Sequence, residues 1–466
     1  MSHQHQHSDL MKTILGNMSE YQLPPTEKVA SLWFSDKEHA FLSGKKKVPI
    51  PVGTSWEEPD DDEERIVKAV FHPNHKNFDL LYKITFENFF PEVKVKDEYE
   101  NNVQVAWPKH AYLQTIKLLE LVFDNEQSIT TLMPESLLIL LQSVPNSCTP
   151  YHDQNLGNCP ALNNWASHLP STKILYTVPF PFSKHPCLAL PLFLHKDKPI
   201  SFHGVFRTQL DRILRMRRID DGGNWVEIPF DAKYVETKGF TIPRVFGTYI
   251  KLLKDEKDEI MTQLKNTECI REYDDFSVVQ STLNEIEIEE ESPVKTIFWY
   301  AQKKEKKETN DFANFLDGTE GEKNDTKSPE KNDEIVRSGH MYLSKAPQAL
   351  FSVDRMELNE YIQVHMKGLT VLPGIWFHSF GVGDLFSLNS PMTVQFTGLY
   401  SKLKIQTEDD DERRKRDEPD LVFTAVLHTV KRIYYSVDNE GVSVVVQDTG
   451  GSSIKEIQQD MRGILE

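Results

Sequence analysis

Closely spaced histidines are the side chains of this sequence best suited to chemistry, because paired imidazoles bind transition metals. The candidates are His3, His5 and His7 near the start, His72 and His75 further on, and His378 after a Pro-Gly pair. Proline between His72 and His75 prevents a shared helical face, and His378 has no second ligand cluster to match it. We interpret His3, His5 and His7 as part of a solvated tail, His72 and His75 as part of a surface turn, and His378 as a residue on a strand face. We therefore predict no metal site.

Other motifs that carry chemistry are missing or incomplete. The sequence contains no GxSxG turn and no HExxH helix. Residues 318–323 (GTEGEK) are similar to a phosphate-binding loop, but the glycine spacing differs and no Ser or Thr follows the lysine. The four cysteines form no CxxC pair, which argues against a zinc ribbon. We therefore predict no catalytic, cofactor-binding or metal-binding residue, and a protein that is not an enzyme.

Length and composition indicate a folded protein of more than one domain. The chain has 466 residues, of which 39% are hydrophobic, and a formal net charge of −18. Such an acidic chain is poorly suited to grip nucleic-acid phosphates, so we expect no direct nucleic-acid binding. No secretory leader and no apolar run of about 20 residues is visible, which predicts a protein made in a reducing, intracellular place.

Short apolar runs between turn-rich or charged loops predict strands in the first half of the chain. A polar, His-rich arm at residues 1–27 precedes them, and the runs recur over residues 29–206. Residues 113–129 are interpreted as a hairpin around a polar turn. The stretch 174–207 predicts an extended segment, a strand at 188–194 and a second strand after it. Short strands at regular spacing indicate a sandwich or a barrel.

The second half mixes one predicted helix with further strands. Apolar residues fall near one helical face over residues 245–265 and predict a connecting helix. The strand-rich stretches are 277–288, 294–300 and 348–446. Two charged insertions, 303–333 and 408–418, contain too little apolar surface to order themselves, so we predict long exposed loops.

Several segments, in this order along the chain, resemble the major capsid protein family of the nucleocytoplasmic large DNA viruses. They are residues 86–91 (FENFFP), 107–140, 178–192 (VPFPFSKHPCLALPL), 293–300 (PVKTIFWY), 373–380 (PGIWFHSF) and 430–434 (VKRIY). The resemblance covers residues 75–445 and is strongest at 178–192, the segment that closes the first jelly roll in that family. Residues 383–396 depart from the family pattern, so a minor capsid protein and an assembly scaffold remain alternative roles.

The resemblance implies an all-β fold of two tandem eight-stranded jelly-roll β-sandwiches, with long loop insertions and a few short helices. The expected domains are a first jelly roll at 28–212, a second at 213–450 and a C-terminal tail at 451–466. The family resemblance also implies a capsid subunit that is made in the host cytoplasm and located in the virion. Its expected partners are itself, as a homotrimer that tiles an icosahedral shell, and other capsid proteins, close to an internal viral membrane.

Two other classes of function fit a β-sandwich of this composition. A cupin-like enzyme would hold a metal with paired His and a Glu, and a glycan-binding sandwich would use an exposed aromatic patch. Four aromatic residues are candidates for the core or for subunit contacts, and we predict the core for all of them. They are Phe180, Phe182, Trp299 and Trp376.

Overall fold

The computed structural model describes most of the chain between residues 46 and 453. The described residues are 46–56, 66–74, 76–123, 127–145, 147–184, 188–195, 199–266, 269–290, 292–316, 334–343, 349–380, 394–395, 401–407, 421–437, 442–447 and 452–453. The predicted arm at 1–27, the charged loop at 408–418 and the tail beyond residue 453 lie outside them.

The described residues form 27 strands. In the first part of the chain they are β1 (Lys46–Ile50), β2 (Val52–Trp56), β3 (Ile66–Phe71), β4 (Leu80–Phe90), β5 (Val93–Val95), β6 (Val103–Ala106), β7 (Ile116–Phe123), β8 (Gln127–Leu132), β9 (His168–Leu169), β10 (Thr172–Thr177), β11 (Leu190–Pro191), β12 (Ile200–Arg207), β13 (Arg215–Ile219), β14 (Trp225–Ile228), β15 (Val235–Thr237) and β16 (Arg244–Ile250). In the second part they are β17 (Cys269–Ser281), β18 (Glu285–Ile288), β19 (Val294–Lys303), β20 (Val336–Leu343), β21 (Ala349–Val353), β22 (Trp376–Ser379), β23 (Val394–Gln395), β24 (Ser401–Thr407), β25 (Leu421–Val437), β26 (Val442–Gln447) and β27 (Ser452–Ser453).

Helices are short and lie in the connections between strands. They are α1 (Ala111–Gln114), α2 (Pro134–Leu141), α3 (Thr149–Leu156), α4 (Pro160–Asn163), α5 (Lys254–Asn266), α6 (Lys304–Glu308) and α7 (Arg355–His365). Within the described ranges, no helix is both long and apolar enough to cross a bilayer.

The first sandwich consists of two antiparallel sheets. One sheet has the order β1-β16-β4-β10, and the other has the order β2-β3-β12-β7-β8. β1 and β2 are two halves of one strand, which changes sheets at Pro51. With these halves counted as one, the sheets follow the strand orders first-eighth-third-sixth and second-seventh-fourth-fifth. This is the order of a jelly roll.

The second sandwich repeats this order of strands. One sheet contains β17-β25-β19-β22, and the facing sheet contains β18-β24-β20-β21. The two-residue strand β23 is left out of the count because it pairs with β19 at one residue only, beside β22. Counted from β17, these are again the orders first-eighth-third-sixth and second-seventh-fourth-fifth. The predicted all-β double jelly roll is therefore confirmed. The repeated order also makes each strand of one sandwich equivalent to a strand of the other.

Alternating burial explains why these segments form strands. In β3 every second residue is buried, and the rest are exposed or half-buried, which gives the strand one core face and one solvent face. The central strand β19 is buried on both faces except at its last residue. The four aromatic residues predicted for the core, Phe180, Phe182, Trp299 and Trp376, are all at most 1% exposed, so that prediction is confirmed.

The connections of the first sandwich build two small additional sheets. One contains β14-β13-β6, and the other contains β15-β5-β9. Their strands come from the connections after β4, β8 and β12. The two additional sheets lie together, because Val105 of β6 exchanges backbone hydrogen bonds with Ala166, two residues before β9.

The structure differs from the predicted domain limits around residue 250. β16 pairs with both β1 and β4, so residues 244–250 belong to the first sandwich and not to a unit that starts at residue 213. The predicted helix at 245–265 begins only at Lys254. Val245 and Tyr249 have helical spacing, but burial along β16 alternates with the period of a strand.

The stretch 174–207 also differs in part from its prediction. The segment predicted as a strand at 188–194 contributes only the two-residue β11, and a 3₁₀ turn at Leu192–Leu194 follows it. A continuous apolar run fits a buried turn as well as a buried strand. The first sandwich is completed by β16, and not by this stretch. The predicted hairpin around residues 124–126 is confirmed by the pairing of β7 with β8.

Two further differences concern the second sandwich. Residues 303–316, predicted as part of an exposed loop, contain the end of β19 and helix α6, and several of their polar side chains are buried. The remainder of that insertion, 317–333, lies outside the described residues. Helix α7 occupies part of the stretch 348–446 that was predicted as strand-rich.

Candidate functional site at the junction of the two sandwiches

The two sandwiches meet where an edge strand of each one lies beside the other. β8 is the last strand of its sheet in the first sandwich, and β17 is the outermost strand of its sheet in the second. Thr130 Oγ1 donates to the carbonyl oxygen of Asp274 at 3.0 Å, and the Thr131 amide donates to Asp275 Oδ1 at 2.6 Å. Exposed sheet edges invite pairing with other chains, and here each edge covers the other.

A buried ion cluster around Asp274 joins the sandwiches. Lys184 of the first sandwich donates from Nζ to Asp274 Oδ2 at 2.6 Å. In the second sandwich, Lys295 Nζ lies 3.3 Å and His428 Nε2 lies 2.9 Å from Asp274 Oδ1. The side chains of Asp274, Lys295 and His428 are only 5%, 3% and 1% exposed. One buried carboxylate thus pairs with a cation from each sandwich.

The charges of the cluster follow from the pKa of its members. Burial alone would raise the pKa of Asp274, but Lys184 and Lys295, together with the contact to His428, outweigh burial and hold that pKa well below its usual range. Burial lowers the pKa of His428, so its imidazole is neutral at neutral pH. The two lysines therefore supply the positive charge that faces Asp274.

Asp275, the next residue of β17, forms a second ion pair at the junction. Lys431 of β25 lies 2.6 Å from Asp275 Oδ2 and also donates to the carbonyl oxygen of Ser128 in β8 at 3.0 Å. Burial raises the pKa of Asp275, although Lys431 acts in the opposite direction. Two neighbouring carboxylates of one strand therefore each contact both sandwiches.

A further polar contact joins the connection after β12 to the segment after α6. Arg215 Nη2 donates to Glu227 Oε1 at 2.7 Å, and its Nη1 lies 3.3 Å from Asp311 Oδ1. Asn310 Nδ2 donates to the carbonyl oxygens of Asp211 and Leu214 at 2.9 and 2.8 Å. The first part of the insertion predicted to be exposed is therefore fixed against the first sandwich.

The connections after the fifth strand of each sandwich also contact each other. The Thr370 amide donates to the carbonyl oxygen of Val144 at 3.1 Å, and the hydroxyls of Thr149 and Thr370 lie 2.7 Å apart. Equivalent connections leave the same end of each jelly roll, so the insertions of the two sandwiches lie together. Contacts at three separate places fix the sandwiches side by side.

His72 and His378, the histidine candidates among the described residues, take no part in the junction contacts given above. His378 stacks on Phe351 with ring centroids 3.9 Å apart, and its Nδ1 lies 3.1 Å from the Tyr361 hydroxyl. Among the described residues, no group of three His, Cys, Asp or Glu side chains is placed to hold a metal ion. His3, His5, His7, His75 and the GTEGEK segment lie outside the described residues.

Acid is expected to destabilise the second sandwich through His378. Burial lowers the pKa of His378 from 6.5 to about 4, with a smaller contribution from His365. As the pH falls, the unfolded chain therefore takes up a proton on His378 before the folded protein does. The free energy of unfolding declines between about pH 6.5 and about pH 4, and at pH 5 the loss is about 2 kcal/mol. Urea unfolding of the wild type and of His378→Asn at pH 5 and pH 7 tests this. The variant should lose about 2 kcal/mol less on acidification, and an equal loss in both proteins would contradict the assignment.

Solved structures share this arrangement of two jelly rolls, although sequence comparison alone finds nothing. No protein-family model and no curated protein matches the sequence. The PBCV-1 virus capsid aligns with a TM-score of 0.58 and 11% identity, over 86% of this chain and 96% of that chain. A PBCV-1 protein fitted into a reconstruction of the virophage Sputnik aligns with a TM-score of 0.60 and 12% identity, over the same shares.

The third similar structure comes from a different virus. The Faustovirus major capsid protein aligns with a TM-score of 0.55 and 8% identity, over 82% of this chain and 90% of that chain. Each alignment spans both sandwiches and not one alone. The chain therefore has the double jelly-roll fold of these viral capsid proteins.

Proposed function

We propose that this protein is a structural subunit of a viral capsid, and that three copies associate into a pseudo-hexagonal capsomer that tiles an icosahedral shell. The observation that carries the proposal is the repetition of one strand order in two sandwiches fixed side by side. A chain with two equivalent units supplies two corners of a hexagon, so three chains supply six. The fold shared with viral capsid proteins supports the same role.

The junction gives the subunit the rigidity that a shell requires. Buried ion pairs cost solvation energy, so they rarely add much stability, but removing one partner is strongly destabilising. The Asp274 cluster therefore disfavours any separation of the sandwiches, because separation would take Lys184 of the first sandwich away from Asp274 of the second. A subunit with a fixed angle between its halves assembles with a fixed curvature.

The proposal places the protein in the virion, with itself and other capsid proteins as partners. Synthesis takes place in the host cytoplasm, and assembly takes place beside an internal viral membrane. The net charge of −18 supports a shell that does not bind the genome directly. The protein acts through its shape and its contacts, and not as an enzyme.

Light scattering coupled to size exclusion tests the proposal on the full-length protein. The expected particle has three times the mass of one chain, and electron microscopy should show a pseudo-hexagonal outline. A monomer at every protein concentration would overturn the proposal. A monomer that holds stoichiometric iron or manganese would favour the cupin-like alternative instead.

A further inference from the structure

The repeated strand order shows which residues of the two sandwiches occupy equivalent positions. In the second sandwich, Gln280 pairs with Thr424, which pairs with Tyr300. In the first sandwich, Pro49 pairs with Phe246, which pairs with Thr85. Both sets run across the first, eighth and third strands, and Pro49 and Gln280 are each the residue before the last of the first strand. Both sets also face away from their own sandwich, because the neighbouring residues Phe86 and Trp299 pack against the facing sheets. Pro49 on β1 therefore corresponds to Gln280 on β17.

Within the chain, the fifth strand and the helix after it contact the neighbouring first strand. β8 contacts β17 through Thr130 and Thr131, as described above. Helix α2 follows β8, and its second residue, Glu135, accepts from Gln280 Nε2 at 3.3 Å. The second residue of this helix therefore lies beside Gln280 of β17.

The equivalents of these elements lie at the outer edges of the two sandwiches. β21 is the fifth strand of the second sandwich and the last strand of its sheet, and α7 follows it as α2 follows β8. The second residue of α7 is Met356, which is 71% exposed. β1 is the outermost strand of its sheet in the first sandwich. If the internal junction is repeated between copies, Met356 of one copy reaches the Pro49 rung of the next.

The surface at the Pro49 rung suits a methionine. A groove beside β1, β2 and β16 is lined mainly by apolar side chains, among them Pro49, Ile50, Val52 and Phe246. Met fills irregular apolar gaps well because its side chain is long and unbranched. An exposed methionine and an apolar groove therefore occupy positions that the internal junction makes equivalent.

The charges around the two surfaces are of opposite sign. Lys46 and Lys47 are exposed on β1. Asp354, which caps α7, and Glu357 and Glu360 are exposed beside Met356. Lys46 and Lys47 precede Pro49 as Asp354 precedes Met356, so Asp354 begins the helix on the side of these lysines. Complementary charge at the rim of an apolar contact guides partners into register.

We propose that the contact between neighbouring copies repeats the internal junction, with Met356 of one copy seated in the groove beside Pro49, Val52 and Phe246 of the next. The acidic start of α7 then faces Lys46 and Lys47 of that copy. This inference rests on the proposed trimer and specifies its contact. The contact joins different surfaces of identical chains, so it is head to tail and closes into a ring after three copies.

The first test replaces Met356 with aspartate, which would place a carboxylate in the apolar groove. Light scattering should show that Met356→Asp raises the dissociation constant of the trimer by at least about tenfold. The matched control is Leu283→Asp, because Leu283 is 70% exposed and lies in the β17–β18 turn, outside the proposed contact. Melting temperatures check that both variants fold. A trimer as stable in Met356→Asp as in Leu283→Asp overturns the inference and leaves the trimer standing.

The second test reverses the charges. The double variant Lys46→Glu with Lys47→Glu should weaken the trimer, and so should Glu357→Lys with Glu360→Lys. Combining all four changes should restore association, and Lys238→Glu, an exposed lysine elsewhere, should have no effect. If the combined variant is as weak as either double variant, the proposed pairing is wrong. A wild-type monomer at every concentration would overturn the trimer, and with it this contact.

A cross-link gives a readout that does not depend on weakened association. Oxidation of a chain with Pro49→Cys and Met356→Cys should link copies into products of up to three chains on a non-reducing gel. Either single variant should give no such series, which controls for the native exposed Cys148. A trimer that gives no cross-linked chains would overturn the inference.

Discussion

Replacing Asp274 with alanine is expected to lower the free energy of unfolding by about 3–5 kcal/mol. The change leaves Lys295, which is 3% exposed, and Lys184 without the carboxylate that pairs with both of them. Buried ammonium groups without a counter-ion are costly because they have lost water and gained no partner. Urea unfolding at neutral pH measures the effect. This is the largest change expected from a single carboxylate at the junction.

The matched control is a carboxylate that pairs with lysines in water. Glu285 lies 3.7 and 3.8 Å from Lys402 and Lys404, and all three side chains are at least 40% exposed. Glu285→Ala should therefore cost less than about 1 kcal/mol. Equal effects of the two substitutions would contradict the description of the Asp274 cluster as buried.

The pH dependence of the Asp274 deficit has a definite sign. The pKa of Asp274 is lowered in the folded protein, so its stabilising contribution is complete above its ordinary pKa and is lost only as the pH falls through the lowered value. The difference between the wild type and Asp274→Ala should therefore be the same at about pH 5 as at about pH 7. A deficit that disappears at pH 5 would mean that Asp274 is already protonated there.

Local patterns were enough to predict the fold class. Short strands with alternating burial, such as β3, and apolar central strands, such as β19, have a period that differs from that of a helix. The resemblance of several ordered segments to a capsid protein family then implied two jelly rolls. Where local patterns failed, two structures fitted the same residues. Val245 and Tyr249 fit a helix face and a strand face, and only the pairing of β16 with β1 and β4 decides between them.

The junction could not be predicted in the same way, because its residues are distant in the sequence. Lys184, Asp274 and His428 come from three separate parts of the chain and meet only when both sandwiches have formed. One signal was available. Asp274 and Asp275 are adjacent carboxylates within a strand, and Lys295 lies among apolar residues of β19. Charged side chains inside such strands are buried only with partners, so they indicate a contact without naming the partner.

The segment at 303–316 gives the sharpest contrast between sequence and structure. Its composition predicts an exposed loop, where replacing one acidic residue changes stability by less than about 0.5 kcal/mol. In the structure, Asp311 is 3% exposed, accepts from Asn314 Nδ2 at 2.8 Å, and lies 3.3 and 3.7 Å from Arg215 and Lys306. Sequence composition does not reveal this burial, because the first sandwich supplies Arg215 from β13.

Asp311→Ala is therefore expected to lower the free energy of unfolding by about 3 kcal/mol or more, and urea unfolding measures it. Lys306 would lose its buried counter-ion, whereas Arg215 would keep Glu227, so the cost should not exceed that of Asp274→Ala. Glu308→Ala, an exposed acidic residue in the same segment, is the control and should change stability by less than about 0.5 kcal/mol. Equal small effects in both variants would show that the segment behaves as the exposed loop its composition predicts. A large effect confined to Asp311 would show that the contact with Arg215 holds the insertion against the first sandwich.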